Sequence, residues 1–317
     1  MTMGVSEPHV TVIVPSFNQA RYVRDALDSI EHASDRPVHV HVVDGASTDG
    51  TVEILREYES MPRMTWTSRP DRGVHDAVND GLRAARTPYC LVLSTDDALL
   101  PGSLDEGVEI LLAEPQLAMV FGDAEYIDAA GRSQGIARAR EACLGSLLAK
   151  STFVIQGSAL FRTERARLVG GFRPDRPYVC DSELWIRLAL QWPVRHVPRV
   201  WSRYRYHPQQ RDTQRERIVQ EWWELVDQLR PVLSRRMRVR ARLGDYVTEY
   251  RYGDPFSLRR GLALWRCLCV DPRLPVTHGL PLREFALPLR WCGSQFKRRA
   301  LRIGRTSTAG PSDVSVP

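Results

Sequence analysis

Short β-branched runs alternate with amphipathic stretches through the first third of the chain. Val10-Thr-Val-Ile-Val14 stops at Pro15 and predicts a strand buried on both faces. From Ala20 to about His32, Tyr22, Val23, Ala26, Leu27 and Ile30 recur at helical spacing and give one apolar face. The same alternation predicts a strand at Val38 to Val43, a helix from Thr51 to about Tyr58, a strand at Met64 to Thr67, a helix from Val74 to Ala85 and a strand at Tyr89 to Leu93. Ser103-Leu-Asp-Glu106 has the form of a capping box opening a helix to about Ala113. Strands alternating with helices predict an α/β fold, a mostly parallel, Rossmann-like sheet flanked by helices. Such sheets bind ligands beyond the carboxyl ends of their strands.

After Leu117-Ala-Met-Val-Phe121 the pattern breaks into shorter mixed elements up to about Trp201. Gly170, Gly171 and Pro174 mark a loop, and Glu183 to Gln191 reads as helical. Beyond Thr213 come a helical stretch, a basic stretch with Trp265 and Trp291, and a polar tail from Thr306 expected to be disordered. The expected organisation is a first domain over 8–213, with a nucleotide-binding half at 8–114 and a second half at 115–213, then a helical basic extension at 214–305 and the tail at 306–317.

Composition narrows this picture. With 43% apolar residues, the 317-residue chain can build a sizeable core. Its six cysteines form neither a Cys-x-x-Cys pair nor a regular framework, so disulfide and zinc scaffolds lack support and a reducing cytoplasm is expected. No segment approaches the roughly 18–20 apolar residues of a membrane span. The net charge of +6 is uneven: between Arg230 and Arg305 there are 18 Arg or Lys against 5 Asp or Glu.

Five segments carry candidate chemistry. Val43-Asp-Gly-Ala-Ser-Thr-Asp-Gly-Thr51 ends a strand; Asp44 can accept hydrogen bonds from a base or ribose there, although the same residues suit a turn and helix cap. In Leu93-Ser-Thr-Asp-Asp97, two adjacent carboxylates follow an apolar strand, and Mg²⁺ or Mn²⁺ carrying a diphosphate would neutralise them. Asp71 and Arg72 can contact base or phosphate, and Asn79 can face the same cleft. Asp181 can deprotonate an acceptor hydroxyl, or can serve as a helix N-cap. In the basic aromatic segment Arg203 to Thr213, Arg205 and His207 can close over a diphosphate.

In this order and spacing, Thr11-Val-Ile-Val-Pro-Ser-Phe-Asn18, Val43 to Thr51, Pro70-Asp-Arg-Gly-Val-His-Asp-Ala-Val-Asn79, Ser94-Thr-Asp-Asp97, Gly170-Gly-Phe172, Asp181 to Arg187 and Tyr204-Arg-Tyr-His207 resemble family 2 glycosyltransferases of the GT-A fold, most of all those that elongate bacterial surface polysaccharides. The resemblance implies donor-nucleotide contacts from Pro15, Ser16, Phe17 and Asp44, with Asp71 and Asn79 lining the same pocket. It implies a metal-binding pair in which Asp97 is the direct ligand and Asp96 lies nearer ribose or sugar, and it matches Asp181 to the catalytic base. It further implies inverting transfer from a nucleotide-diphosphate sugar to a glycan or lipid-linked saccharide. Gly45 replaces the second of two acids found in many relatives, and Gln156 stands where relatives often have His, on the acceptor side.

Other classes fit less well. A nucleic-acid-binding protein would account for the isoelectric point near 9.1 but leaves the acidic strand ends without a purpose, so no nucleic-acid partner is expected. A nucleotidyltransferase would be expected to carry a Gly-rich phosphate loop where Pro15-Ser-Phe-Asn18 stands. The segment Phe256 to Cys269, apolar on one side and arginine-rich on the other, suits either packing on the catalytic domain or peripheral contact with an anionic membrane surface.

Overall fold

The computed structural model describes residues 9–139, 143–208, 210 and 214–253, with 262, 263, 265, 266 and 269. The expected amphipathic helix at Phe256 to Cys269 falls mostly, and the tail from Thr306 entirely, outside the described residues.

The first half follows the sequence pattern closely. In chain order it runs β1 (Val10–Ser16), α1 (Val23–Glu31), β2 (Val38–Asp44), α2 (Thr51–Glu57), β3 (Met64–Ser68), α3 (Val74–Ala84), β4 (Tyr89–Val92), β5 (Ala98–Leu99) and α4 (Ser103–Ala113). It continues with β6 (Met119–Asp128), β7 (Ser133–Ala137), α5 (Leu144–Leu148), β8 (Ala159–Arg162), α6 (Thr163–Leu168), α7 (Cys180–Gln191), β9 (Val194–Tyr206), α8 (Arg215–Leu229) and α9 (Arg235–Tyr252). One sheet holds all nine strands in the order β3-β2-β1-β4-β8-β6-β9-β5, with β7 paired to β6. Strands β1 to β4 are mutually parallel, β8 is antiparallel to both neighbours, and β6 and β9 are parallel.

Pleat alternation divides the core. Val12 and Val14 of β1 pack with Leu27 of α1, Leu55 of α2 and Leu104 and Val108 of α4 on one face. Ile13 turns to the other face, which gathers residues of α3, α5, α6, α7 and α8, among them Leu82, Trp185 and Trp222. Helix α8 and the first turns of α9 join this same core through Trp222, Leu225, Val226 and Ala241. Among the described residues no helix is long and apolar enough to cross a membrane.

Three local expectations change. The capping box at Ser103 does not form: Gly102 precedes the helix and the Ser103 hydroxyl is buried without a partner, while Glu106 accepts from the Trp201 indole. Asp105 is spent on Ser34 and Asp35. The mixed region after Phe121 contains two long strands, β6 and β9, paired along most of their length. Helix α7 begins at Cys180 rather than Glu183, which puts Asp181 inside its first turn instead of ahead of it.

Candidate active site

Strand β4 ends in the turn Ser94 to Asp97, and β5 then pairs back onto the end of β9, matching Ala98 to Arg203. This pairing brings the basic end of β9 against the acidic turn. Arg205 donates its backbone N–H to Asp97 Oδ1 at 2.9 Å and its Nε to the Asp96 carbonyl at 2.7 Å. Its guanidinium also reaches Asp25 of α1 at 3.1 Å and lies 4.6 Å from the Tyr22 ring centroid. With its side chain only 5% exposed, Arg205 holds the turn from beneath and is not on a closing loop. The buried His207 ring sets Nε2 3.1 Å from Asp96 Oδ2 and packs on Tyr22. Asp96, Asp97 and His207 form the floor of a cavity of about 540 Å³.

One wall comes from the carboxyl end of β1 and the start of α3. Pro15, Ser16, Phe17, Gly45 and Asp71 line it, with Val74 and Ala77 deeper in. Phe17 is 60% exposed at the mouth, which leaves an aromatic face beside the Asp71 carboxylate. A Cβ at Gly45 would approach Asp71 Oδ2 and the Phe17 ring at 3.2 Å, so the absence of a side chain there lets these two close on one another. Asp44 does not line the cavity. Fully buried, it accepts from Ser47 N at 2.9 Å and Ser68 Oγ at 2.6 Å, and so organises the ends of β2 and β3. The following turn grips the 18–20 loop: Ser47 Oγ accepts from Asn18 N, Asp49 from Ala20 N and Thr51 Oγ1 from Gln19 N.

Two other expected residues lie apart from the lining. The Arg72 side chain is 80% exposed and paired with Asp76 at 2.6 Å, which pulls the Asp76 carboxyl below its ordinary range. Asn79 exchanges two hydrogen bonds with the Phe172 backbone, at 2.7 and 2.8 Å, and so ties α3 to the Gly170-Gly171 loop. Gly171, at φ +65°, would place a Cβ too close to the Asn79 amide, so this clamp requires glycine.

A second wall consists of Phe153, Val154, Ile155 and Gln156, together with Asp181. Asp181 Oδ1 accepts from Ser182 N at 2.6 Å. Glu183 and Arg187 pair along the same helix, Nε to Oε1 at 2.6 Å, and Arg187 also donates to the Gly171 carbonyl at 2.6 Å. The cavity thus brings together nine of the expected residues: Pro15, Ser16, Phe17, Asp71, Asp96, Asp97, Gln156, Asp181 and His207. Sequence reasoning missed Gln19, Thr95, Tyr204 and Gln210 on its lining. It also missed Glu221 of α8, which accepts from the backbone N–H groups of Tyr178 and Val179 at 2.7 and 3.2 Å.

Among the described residues, no three His, Cys, Asp or Glu side chains gather into a preformed metal cluster. Asp96 and Asp97 nevertheless both line the cavity, and carboxylate oxygens are the donors that Mg²⁺ or Mn²⁺ takes when phosphate oxygens and water supply the rest of the shell. Such a floor fits a divalent cation that arrives with a diphosphate.

Residues 11–167 match the family model described as glycosyl transferase family 2. A chondroitin synthase of Escherichia coli is 25% identical over 199 residues, covering 61% of this chain; the chain spans only 28% of that relative's length. Residues 1–349 of TarS from S. aureus, in complex with UDP-GlcNAc, superpose with a TM-score of 0.63 at 15% identity, covering 84% of this chain and 83% of the other. A mannosyltransferase from Pyrobaculum calidifontis, in complex with GDP-Man and Mn²⁺, gives 0.61 at 21% identity, covering 92% and 81%. These likenesses show that the fold is GT-A.

Proposed function

Since this chain belongs to glycosyl transferase family 2, matched over residues 11–167, we propose that it transfers a sugar from a nucleoside-diphosphate donor to a saccharide hydroxyl with inversion at the anomeric carbon. The observation that carries the reading is the cavity itself. Asp96 and Asp97 from the end of β4 and Asp181 from α7 line one cavity, with Phe17 exposed beside Asp71.

In this reading the nucleoside lies along the Pro15 to Phe17 wall. Phe17 stacks on the base and Asp71 accepts its N–H groups, with Gly45 leaving the room that a second acid would fill. Asp44, Asn79 and Arg205 act one step back, holding β2, α3 and the acidic turn in register. Asp97, with Asp96 beside it, would hold Mn²⁺ or Mg²⁺, whose charge would stabilise a departing diphosphate. Asp181 takes the proton from the acceptor hydroxyl as that oxygen attacks the anomeric carbon from the face opposite the diphosphate. Gln156, on the same wall, supplies a neutral donor and acceptor for the incoming saccharide.

Relatives named for chondroitin and hyaluronan synthesis favour a role in surface-polysaccharide assembly, with a glycan or lipid-linked saccharide as acceptor. Arg235, Arg236, Arg238, Arg240 and Arg242 precede the first acid of α9, which favours peripheral attachment to the inner face of an anionic membrane. Flotation of the full chain with anionic but not neutral vesicles is the expected result for that attachment.

A donor screen tests the proposal. UDP- and GDP-sugars incubated with the protein and Mn²⁺, Mg²⁺ or a chelator should single out one donor that raises the melting temperature and releases nucleoside diphosphate only with metal. If no sugar nucleotide shifts the melting temperature under any condition, the reading fails.

A further inference from the structure

Helix α7 carries Asp181, and the residue at its N-cap position, Val179, has no side chain able to accept a hydrogen bond. Inside the first turn the Asp181 carboxylate accepts from Ser182 N at 2.6 Å, which leaves the amides ahead of the helix to a partner elsewhere in the chain. The partner comes from 42 residues downstream. Glu221, on α8 and only 8% exposed, receives the N–H groups of both Tyr178 and Val179 on a single oxygen, Oε2. A negative carboxylate at this end of a helix also meets the positive end of its dipole. The next residue of α8 makes a second tie. Trp222 is fully buried, Lys150 Nζ lies 4.0 Å from its ring centroid, and the same Nζ donates to Ser182 Oγ at 3.2 Å. Two successive residues of α8 thereby bracket Asp181 on both sides, through Tyr178-Val179 and through Ser182.

From this arrangement we infer that Glu221 is a positioning residue for catalysis: by capping α7 from α8, it sets where the helix begins and so the direction in which Asp181 enters the cavity. The inference rests on the reading of Asp181 as base. It adds that a helix beyond the residues matched to the family completes the site. Without Glu221, the first turn of α7 would be expected to unwind toward Glu183, where the local sequence alone would begin the helix. Asp181 would then ride on a loop. Donor contacts lie on the other wall and on the floor, so they should not notice the change.

The test compares Glu221→Ala, Glu221→Gln and Glu221→Asp in the full chain. The readouts are hydrolysis of the sugar nucleotide selected by the donor screen, with water as acceptor, donor affinity by calorimetry, and amide exchange of the peptide spanning 176–184. Glu221→Ala should lower kcat by about 30-fold, leave the donor Kd within about twofold, and speed exchange at Tyr178 and Val179 by about tenfold. Glu221→Gln keeps an acceptor oxygen of the same reach and should recover kcat to within about threefold. If the alanine variant does not fold, Glu221→Asp carries the test, because it keeps the charge but withdraws the oxygen by one methylene, and kcat should still fall at constant donor Kd. Wild-type kcat and exchange in a folded alanine variant would overturn the inference, as would equal losses in the alanine and glutamine variants, or parallel losses in kcat and donor binding. Asp181→Asn run alongside separates the two readings. If it is inactive while Glu221→Ala is normal, only the positioning role falls. If it is fully active, the base assignment falls while the exchange data still decide whether Glu221 caps α7.

Discussion

The floor of the cavity and its Asp181 wall are both built on carboxylates, but their supports differ in kind. Asp96 and Asp97 sit in a turn between two strands, and β9 aims them through sheet register and through Arg205, which bonds the turn by its backbone and its guanidinium. Asp181 sits in the first turn of a helix, and a strand ladder cannot aim it. Its direction follows from where α7 starts, which Glu221 of α8 sets. A turn residue can thus be positioned by its immediate sheet neighbours, whereas a helix-borne residue inherits its position from the packing of a whole neighbouring helix.

The sharpest separation of the two comes from the carboxylates themselves. Asp181→Asn keeps shape and hydrogen bonding but removes the base, so kcat should fall about 10³-fold with donor Kd unchanged within about twofold. Transfer at the wild-type rate would move the base elsewhere. Asp97→Asn should do the reverse: its amide oxygen can still accept from Arg205 N–H, yet metal-dependent donor affinity should drop, costing about 10²-fold in kcat/KM. Calorimetry of donor binding with and without Mn²⁺ checks it, and a variant whose donor affinity gains as much from metal as the wild type's does would break the assignment.

A smaller effect is expected beneath the floor. Arg205→Met fills much of the buried volume but loses the contacts to the Asp96 carbonyl and to Asp25, so it should cost about 2 kcal/mol of stability and about tenfold in kcat/KM. Denaturant unfolding and steady-state kinetics measure the two losses. If stability falls while kcat/KM holds, the turn is aimed by the Arg205 backbone alone.

The same contrast explains what could be read in advance. Strands β1 and β4 were legible because both sheet faces are covered there, which leaves β-branched and apolar runs such as Val10 to Val14, and the helices between the strands by their apolar faces. The floor was legible because Asp96 and Asp97 are adjacent in sequence and follow such a strand. Strands β6 and β9 were not, because β6 interleaves Asp123 and Glu125 with apolar residues and β9 carries Pro198 and exposes Arg195, Arg199 and Arg203. Arg205 suggested a closing loop because its composition is that of a solvated segment; only pairing with β5 and β6 buries it. The early start of α7 was invisible because its cap lies on another helix, and no local signal in Pro177 to Cys180 announces it. Asp44 had the right strand-end position for a nucleotide contact, but Ser47 and Ser68 claim its oxygens.

The smallest effect tests how far the helical support extends from Asp181. Asp245 of α9 is largely buried where α9 meets α8, with the Trp222 indole beside it and Arg230 only at 3.9 Å. Burial lifts its pKa from 3.8 to about 7, with Asp227 adding to the rise and Arg230 and Arg242 opposing it. Between those two values the folded protein keeps a proton that the unfolded chain has released. The stability from protonated Asp245 is therefore complete below about pH 4 and is lost as pH rises through 7. Asp245→Asn removes the titration, so its stability relative to wild type should rise by about 2 kcal/mol between pH 5 and pH 8. Melting curves at the two pH values measure the difference. Because α9 touches the wall's support and not the floor, donor affinity should be the same in both proteins at either pH. A donor Kd that moved with Asp245→Asn would mean that floor and wall are not held independently.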